Sequence, residues 1–223
     1  AGEDPPVWAR ALGANVWTVD GNRFVDLLGG FGVASAGHRN PAVVRALELQ
    51  MARLVHGLGD AFPSDRRIEL ASALARLLGG GLTQSIFCSS GSEAVEVAIK
   101  TAVMATGRHS FVVFHGGYHG LSIGALSASH YRSSFRDPFT PLLSTDMFTF
   151  LPYGCAAEDV AAAVRATHAA AVLVEPIQAR GGVRVPPAGW LQSLARVAHE
   201  HGALLILDEI FTGFGRTAEE AEG

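Results

Sequence analysis

Short apolar runs alternate with longer helix-like stretches along the second half of the chain. The apolar runs that we predict to be strands are SIFCS (85–89), FVVFH (111–115), AAVLVEP (170–176) and ALLILDE (203–209). The stretches that separate them, SEAVEVAIKTAVMAT, AEDVAAAVRAT and WLQSLARVAHEHG, are predicted helices. Uniformly apolar strands that alternate with helices are typical of a mostly parallel sheet with helices on both faces. The sequence therefore predicts an α/β fold.

The first part of the chain has a different pattern. NVWTVDGNRFVDL (15–27) alternates around Asp20 and Gly21, which is a strong signal for a β-hairpin. After a glycine-rich loop, Pro41 begins a predicted helix in AVVRALELQMARL, and IELASALARLLGG predicts a second helix that its glycines close. A small β-rich segment is thus expected ahead of the α/β part.

Composition narrows the class of protein. Hydrophobic residues make up 48% of the 223 residues and charged residues 17%, and the mean hydropathy is +0.25. This is more apolar surface than one monomer needs to bury, so an oligomer interface is expected. The net charge of -4 offers no basic field for nucleic acid, and no apolar run approaches the roughly 18 residues of a membrane span. Small-molecule chemistry is the favoured class.

The two cysteines, Cys88 and Cys155, lie far apart in the sequence and form no C-x-x-C motif. A disulfide framework or a zinc ribbon is therefore not expected, and a reducing, cytoplasmic location fits this pattern. His115 and His119 are four residues apart, but the glycines around them argue against the helix that a metal pair would need. We predict no metal site.

In such sheets ligands bind beyond the carboxyl ends of the strands. The residues that follow the predicted strands are therefore the candidates for a binding site. In CSSGSEAVEVAIK, Ser90, Gly91 and Ser92 lead from a strand into a helix, where free N–H groups and hydroxyls gather at the positive end of the helix dipole. This arrangement is typical of a phosphate cradle. The alternative is a plain helix cap by Ser90 or Ser92, with Glu93 complementing the dipole.

The two other strand ends carry an aromatic pair and a carboxylate. In FHGGYHGLS, Tyr118 and His119 stand on a glycine loop and could stack on a flat ligand, although an ordinary turn has the same composition. Asp208 follows an apolar strand, and a buried carboxylate needs a partner such as a protonated ring nitrogen. A salt bridge from Asp208 to Arg216 or a helix cap is the alternative. Together the three strand ends outline a phosphorylated heteroaromatic cofactor.

These segments resemble the class III aminotransferases, which use pyridoxal phosphate and have fold type I. The resemblance runs from GANVWTVDGNRFVDL and the Gly37-His38 pair through CSSGSEAVEVAIK, GGYHGLSIGALS and VEPIQARGG to LILDEIFTGFGRT. It covers nearly the whole chain in the family's order. It implies residues 1–50 as part of the small domain and residues 51–223 as an incomplete cofactor-binding large domain.

The resemblance implies roles for the matching positions. Ser90, Gly91 and Ser92 would hold the cofactor phosphate, and the Tyr118–His119 pair would lie against the ring. Asp208 would pair with the ring nitrogen and act as the catalytic carboxylate, because an ionised Asp208 keeps that nitrogen protonated. Two further positions complete the expected cofactor site: Ile210, packed on the opposite ring face, and Glu175, as support.

The chain departs from the family at two positions near the site. Many relatives have Gln where Phe211 stands, and that Gln contacts the ring hydroxyl of the cofactor. The resemblance therefore does not imply this contact for Phe211. Relatives that act on ω-amino acids often have Glu where this chain has Arg180. The Arg180 guanidinium could bind a substrate carboxylate, or it could be an ordinary surface arginine.

The resemblance also implies a lysine that holds the cofactor as a Schiff base, downstream of the DE-x-x-TGFGR segment. Lys100 is the only lysine of this sequence. It lies eight residues along the predicted helix from Ser92, about 12 Å along the axis, and is badly placed for that role. We therefore expect the chain to be an inactive fragment of a homodimeric transaminase that acts on small amino and oxo substrates.

Three other functions remain open on the sequence. An aminomutase or a racemase would keep the same fold and cofactor, and a non-catalytic protein that binds pyridoxal phosphate would explain the missing lysine. A Rossmann dehydrogenase is a distant third, because no predicted strand runs through G-x-G-x-x-G into a helix.

Overall fold

The computed structural model describes residues 4–59 and 61–217, which form two compact units divided between Ser85 and Ile86. We treat each unit separately. The expectation that residues 1–50 belong to a small domain and residues 51–223 to a large one stays a prediction.

The first unit contains a three-stranded antiparallel sheet in the order β1-β2-β3. Its strands are β1 (Trp8–Leu12), β2 (Asn15–Thr18) and β3 (Arg23–Val25). The predicted hairpin is confirmed: β2 pairs with β3, and the Thr18 N–H donates to the Asn22 carbonyl across the turn. Gly21 sits in this turn at φ +82°, a conformation that favours glycine. The first strand, β1, had no signal that we recognised in the sequence.

The two helices of the first unit begin at side-chain caps. These helices are α1 (Pro41–Met51) and α2 (Asp65–Leu78). The Asn40 side chain accepts the Ala42 N–H at 3.0 Å, and the Ser64 hydroxyl accepts the Arg67 N–H at 3.3 Å. Neither helix has a buried residue, so both present apolar side chains to solvent.

The second unit is built on a four-stranded parallel sheet in the order β5-β4-β6-β7. Its strands are β4 (Phe111–Phe114), β5 (Phe148–Leu151), β6 (Ala171–Val174) and β7 (Leu204–Leu207). The predictions of β4, β6 and β7 are confirmed, whereas β5 was not predicted from the sequence. The central strands β4 and β6 are buried at every position, as their uniformly apolar sequences require.

Helices cover both faces of this sheet. In chain order they are α3 (Gly91–Thr106), α4 (Ile123–Ala128), α5 (Ser133–Arg136), α6 (Ala157–Thr167) and α7 (Trp190–Glu200), with 3₁₀ turns at Asp137–Leu142 and Thr145–Met147 between α5 and β5. On one face, Val112 and Val172 pack with Leu194 and other residues of α6 and α7. On the opposite face, Val113 and Leu173 pack with residues of α3 and α4. The prediction of a mostly parallel sheet with helices on both faces is confirmed.

One strand prediction was wrong. SIFCS (85–89) has no strand structure, and the Ile86 side chain is 67% exposed. A strand forms only where a neighbouring backbone completes its hydrogen bonds, and within the described residues no strand pairs with this segment. The strand before Asp208, β7, lies at the sheet edge, and its Leu204 and Leu207 are exposed although its sequence is uniformly apolar.

Within the described residues, no helix is both long enough and apolar enough to span a membrane.

Candidate functional site

The first component of the site is the amino end of α3. The Ser90 hydroxyl accepts the Glu93 N–H at 3.2 Å, and the Glu93 carboxylate accepts the Ser89 N–H at 2.7 Å. These reciprocal bonds are close to a capping box, which fixes the first turn of the helix. The capping alternative for Ser90 is therefore present in the structure, and its hydroxyl is already engaged.

Two N–H groups precede that of Glu93 at the start of this helix. Within the part of the chain that the structure describes, the N–H groups of Gly91 and Ser92 donate no hydrogen bond. They lie at the positive end of a 16-residue helix. Unpaired N–H groups in this position favour an anion, and a phosphate group fits this chemistry.

Close packing explains why glycine precedes Ser92. A Cβ at Gly91 would lie 2.7 Å from the Ile210 Cδ1, so only glycine lets Ile210 approach the helix end. A Cβ at Gly120 would collide with the Ser92 hydroxyl. That hydroxyl accepts the Leu121 N–H at 3.0 Å. The turn before α3 is thereby fixed to the segments that follow β4 and β7.

The buried centre of the site is a pair formed by His119 and Asp208. The His119 Nδ1 lies 2.7 Å from the Asp208 Oδ2, and the two side chains are 1% and 4% exposed. The second carboxylate oxygen, Oδ1, accepts the Ile210 N–H at 3.2 Å. The Asp208 N–H donates to the Val174 carbonyl and continues the β6–β7 ladder, so the carboxylate stands directly at the end of β7. The partner that a buried Asp208 requires within the chain is His119.

The position of His119 is set by the backbone and by α4. The His119 N–H donates to the Ser129 hydroxyl at 2.9 Å, and that hydroxyl donates to the Ala125 carbonyl at 2.8 Å. The start of α4 is held in turn by Glu96, whose carboxylate accepts the N–H groups of Gly124 and Ala125. Neither Ser129 nor Glu96 carried a recognisable functional signal, because such contacts appear only once the loop after β4 is folded.

Glu175 lies at the end of β6 and is 4% exposed. Its carboxylate accepts the Tyr118 N–H at 3.0 Å. Burial raises the pKa of Glu175 to about 7; the neighbouring Asp208 pushes it in the same direction, while His119 and the Tyr118 N–H act against the rise. The Glu175 carboxyl therefore keeps its proton to a higher pH than an ordinary glutamate does. The Tyr153 hydroxyl fixes the backbone that follows, since it donates to the carbonyls of Glu175 and Pro176 at 3.0 and 2.9 Å.

The ring of Tyr118 carries the Arg180 guanidinium. The Arg180 Cζ lies 4.3 Å from the ring centroid, and Tyr131 and Phe135 lie edge-on to the same ring. A flat ligand stacked on Tyr118 must therefore use the other face of the ring or take the place of the guanidinium. Arg180 is brought to the site, which favours a functional position over an ordinary surface arginine.

The loop that carries Arg180 is closed by a backbone bridge. Gln178 and Arg184 exchange two N–H···O bonds of 3.0 and 3.1 Å. The Gln178 side chain is 1% exposed and donates to the His115 carbonyl at 3.0 Å. A Cβ at Gly181 would lie 2.8 Å from the Gly116 carbonyl, so glycine allows this loop to rest on the loop after β4. Gln178 is a site residue that the sequence reasoning missed.

The structure thus brings together the α3 turn, the Tyr118–His119 pair, Glu175, Asp208, Ile210 and Arg180. Lys100, by contrast, is exposed on α3. Within the described residues, no group of three or more His, Cys, Asp and Glu side chains is arranged to hold a metal ion. The roles assigned to the individual site residues stay predictions.

Comparison with known proteins places this geometry among pyridoxal-phosphate enzymes. The Aminotransferase class-III family model matches residues 2–220. An acetylornithine aminotransferase of Methanopyrus kandleri is 44% identical over 209 residues, which are 93% of this chain and 52% of the relative. The chain therefore spans about half the length of the curated relatives that it matches.

Two solved structures share the fold. The ornithine aminotransferase of Toxoplasma gondii superimposes with a TM-score of 0.88 at 30% identity, over 98% of this chain and 52% of that protein. An amine transaminase from an uncultivated Pseudomonas species, solved in its PLP-bound form, has a TM-score of 0.88 at 29% identity, over 96% of this chain and 54% of that protein. These likenesses support pyridoxal phosphate as the cofactor and agree with the anion-binding turn of α3.

Replacing Glu175 with Gln is expected to change how stability depends on pH. The pKa of Glu175 is about 7 in the folded chain against an ordinary value of 4.5, so the folded state binds more protons between these values. Through this group, the free energy of unfolding should fall by up to about 1.4 kcal/mol per pH unit as pH rises from 4.5 to 7. Above pH 7 the contribution stays at its low level.

Urea unfolding followed by circular dichroism from pH 4.5 to 8 measures this slope. Glu175→Gln should flatten it, because an amide does not titrate while its oxygen can still accept the Tyr118 N–H. Glu200→Gln, on the exposed end of α7, is the matched control and should keep the slope of the unmodified chain. Identical slopes in the two variants would show that Glu175 is not a buried, titrating group.

Proposed function

The chain belongs to the class III aminotransferase family, and from this we propose that it supplies the cofactor-binding half of a pyridoxal-phosphate-dependent transaminase. The reaction would move an amino group from an amino donor to a 2-oxo acid or aldehyde acceptor. The observation that carries the proposal is the buried His119–Asp208 pair at the end of β7, joined through Ile210 to the turn where the Gly91 and Ser92 N–H groups are unpaired.

The anion-binding turn of α3 would hold the cofactor phosphate. Gly91 and Ser92 provide two N–H donors at the helix terminus, and the Ser90 cap fixes their direction. Since the Ser92 hydroxyl accepts the Leu121 N–H, its own proton remains available for a phosphate oxygen. Ser90 contributes to the geometry of the turn, because its hydroxyl accepts the Glu93 N–H and so fixes the start of the helix.

Two side chains would hold the cofactor ring. Tyr118 offers an aromatic face, and Ile210 offers an aliphatic side chain that is 51% exposed and lies against Gly91. Both follow the ends of strands, where ligands of parallel sheets bind. An aromatic surface on one side and an aliphatic surface on the other would suit a flat heteroaromatic ring.

Asp208 would bind the ring nitrogen of the cofactor. When bound, pyridoxal phosphate supplies a pyridine ring that withdraws electrons from the substrate Cα if its nitrogen is protonated. Asp208 holds that proton, because a buried carboxylate stabilises a positive partner far more than water does. His119 donates to Oδ2 and so keeps the carboxylate in one orientation. His119 is thus a positioning residue in this proposal.

Glu175 would support the site without adding a full negative charge. Burial raises the pKa of its carboxyl to about 7, and the carboxyl accepts the Tyr118 N–H. A fully ionised second carboxylate would compete with Asp208 for the proton of the ring nitrogen. We propose that Glu175 anchors the Tyr118 backbone while carrying less negative charge than an ordinary glutamate.

Arg180 would bind a carboxylate of the substrate. Its guanidinium lies on the Tyr118 ring, so it is held beside the place proposed for the cofactor. The relatives named above act on acetylornithine, ornithine and amines. We propose a primary amine that also bears a carboxylate as the amino donor of this protein, because a guanidinium pairs well with a carboxylate.

The lysine that binds the cofactor covalently lies outside this chain in our proposal. Lys100 is exposed on α3, eight residues from Ser92, which does not favour that role. The chain by itself would then bind the cofactor without a covalent bond and would not transaminate. The apolar side chains exposed on α1, α2 and β7 support a homodimer of the whole protein, with further chain covering these surfaces.

Asp208→Asn tests the proposed function in the whole transaminase. The amide can still accept a hydrogen bond from His119, but it cannot balance the charge of a protonated ring. Loss of a charged hydrogen bond costs about 1.5–3 kcal/mol, so turnover should fall by roughly one to two orders of magnitude. Asp159→Asn, on the exposed face of α6, is the control. Near-normal turnover in Asp208→Asn would contradict the role of Asp208.

Arg180→Ala tests the proposed donor at saturating cofactor. The Michaelis constant for a carboxylate-bearing amine should rise by about tenfold or more, because a charge-assisted pair is lost, while a simple amine of similar size should be unaffected. Arg180→Lys keeps the charge without the planar fork and should lie between the two. An equal rise for both amines would mean that Arg180 only supports the Tyr118 ring.

A further inference from the structure

A small recess opens in the segment between α4 and β5, in a part of the second unit that the proposed reaction does not use. The cavity has a volume of about 160 Å³. Two guanidinium groups, one imidazole and three hydroxyls line it: Arg132, Arg136, His130, Ser133, Thr140 and Thr145. The guanidinium groups, the imidazole and the hydroxyls of Ser133 and Thr145 can donate hydrogen bonds, whereas the Thr140 hydroxyl already donates to the Asp137 carbonyl at 3.1 Å.

Positive charge dominates the recess. Asp137 is the one carboxylate among the lining side chains. Within residues 4–59 and 61–217, no carboxylate oxygen lies within 4.0 Å of a guanidinium nitrogen of Arg132 or Arg136. The two guanidinium charges are therefore not neutralised by a close ion pair.

Arg136 has a buried donor without an acceptor. Its Nε is buried and makes no hydrogen bond in the described part of the chain. The guanidinium lies over Phe150, with Cζ 5.2 Å from the ring centroid, and an aromatic face is a weak acceptor. Burial lowers the pKa of Arg136, and Asp137 opposes this shift. A buried donor that lacks an acceptor is an unfavourable arrangement that a bound oxyanion would relieve.

His130 is suited to a neutral role in the recess. Its backbone N–H donates to the Gly117 carbonyl at 2.8 Å, which fixes its position. Burial lowers the pKa of the His130 side chain, and the nearby charges of His115 and Arg136 lower it further. The ring is therefore mostly neutral near pH 7, so it offers one N–H without adding charge to Arg136.

The size of the recess limits what it can hold. Pockets for drug-sized ligands are about 300–1,000 Å³, and this cavity is smaller. A nucleotide or a peptide does not fit inside it. A tetrahedral or planar oxyanion, or the terminal anionic group of a larger molecule, does fit.

We propose that this recess is an anion-binding site in which Arg132 and Arg136, with the surrounding hydroxyls, hold a phosphate or carboxylate group. Guanidinium groups pair with both kinds of oxyanion through short, charge-assisted hydrogen bonds. The residues that line the site do not include the α3 turn, and anion binding there requires neither the cofactor nor transamination. Failure of the proposed function would leave it unaffected.

Site-resolved NMR on the 223-residue chain tests the proposal. Inorganic phosphate and succinate are titrated separately, and the backbone amide shifts of residues 130–145 are followed apart from those of residues 90–93. Saturable shifts in 130–145 with either anion support the site. A response to phosphate alone identifies a phosphate group as the ligand class, and a response to succinate identifies a carboxylate. No saturable shift in 130–145 with either anion overturns the proposal.

Four variants test how much Arg132 and Arg136 contribute to anion binding. Arg136→Gln and Arg132→Gln should each weaken binding at 130–145 by about tenfold to one hundredfold, because each removes one charged donor. Arg136→Lys keeps the charge but loses Nε, so it should weaken binding by a smaller factor. Arg196→Gln, on exposed α7, is the control and should bind as the unmodified chain does. If Arg136→Gln does not fold, Arg132→Gln decides, and unchanged affinity there overturns the proposal.

Discussion

His119 and Asp208 are separated by 89 residues and meet at 2.7 Å in the interior of the second unit. A buried carboxylate at the end of β7 requires a hydrogen-bonding partner, because an unpaired charge in the interior is energetically costly. The imidazole supplies that partner at Oδ2, and the Ile210 N–H donates to Oδ1. Several other features serve this contact: the glycine loop after β4 delivers His119, and Ser129 holds its backbone.

The parallel sheet explains why these distant segments can meet. The strands run in the order β5-β4-β6-β7, so the carboxyl ends of β4, β6 and β7 open at one edge. The loops after them bring Tyr118, Glu175 and Asp208 to that edge, and the α3 turn reaches it through the contact of Gly91 with Ile210. Unpaired N–H groups, an aromatic side chain and a buried carboxylate thereby come within one site.

The sequence predicted this edge well where uniform apolar runs marked buried strands. Phe111–Phe114 and Ala171–Val174 are central strands with helices on both faces, so their patterns carry little ambiguity. The prediction was wrong at SIFCS, because a strand also needs a backbone partner, and apolar composition does not supply one. It missed β5, whose FTFL sequence follows two 3₁₀ turns and lies at the sheet edge.

The sequence pattern likewise revealed some of the site residues and not others. Asp208 and Tyr118 stand directly after strands and could be found from the pattern alone. Gln178, Ser129 and Glu96 could not, because each acts on a backbone group far away in the sequence, and only the folded loops bring those groups together. The Arg180–Tyr118 contact was likewise invisible, since it depends on the bridge that closes residues 178–184.

The most direct test of the role proposed for Asp208 is the protonation state of the bound cofactor ring. Pyridoxal phosphate labelled with ¹⁵N in the ring is added to saturation to the chain and to Asp208→Asn, and the ring-nitrogen shift is measured by NMR near pH 8. We expect a protonated ring nitrogen in the unmodified chain and an unprotonated one in Asp208→Asn. An unprotonated nitrogen in both, or no difference between them, would contradict the claim that the His119–Asp208 pair exists to hold that proton.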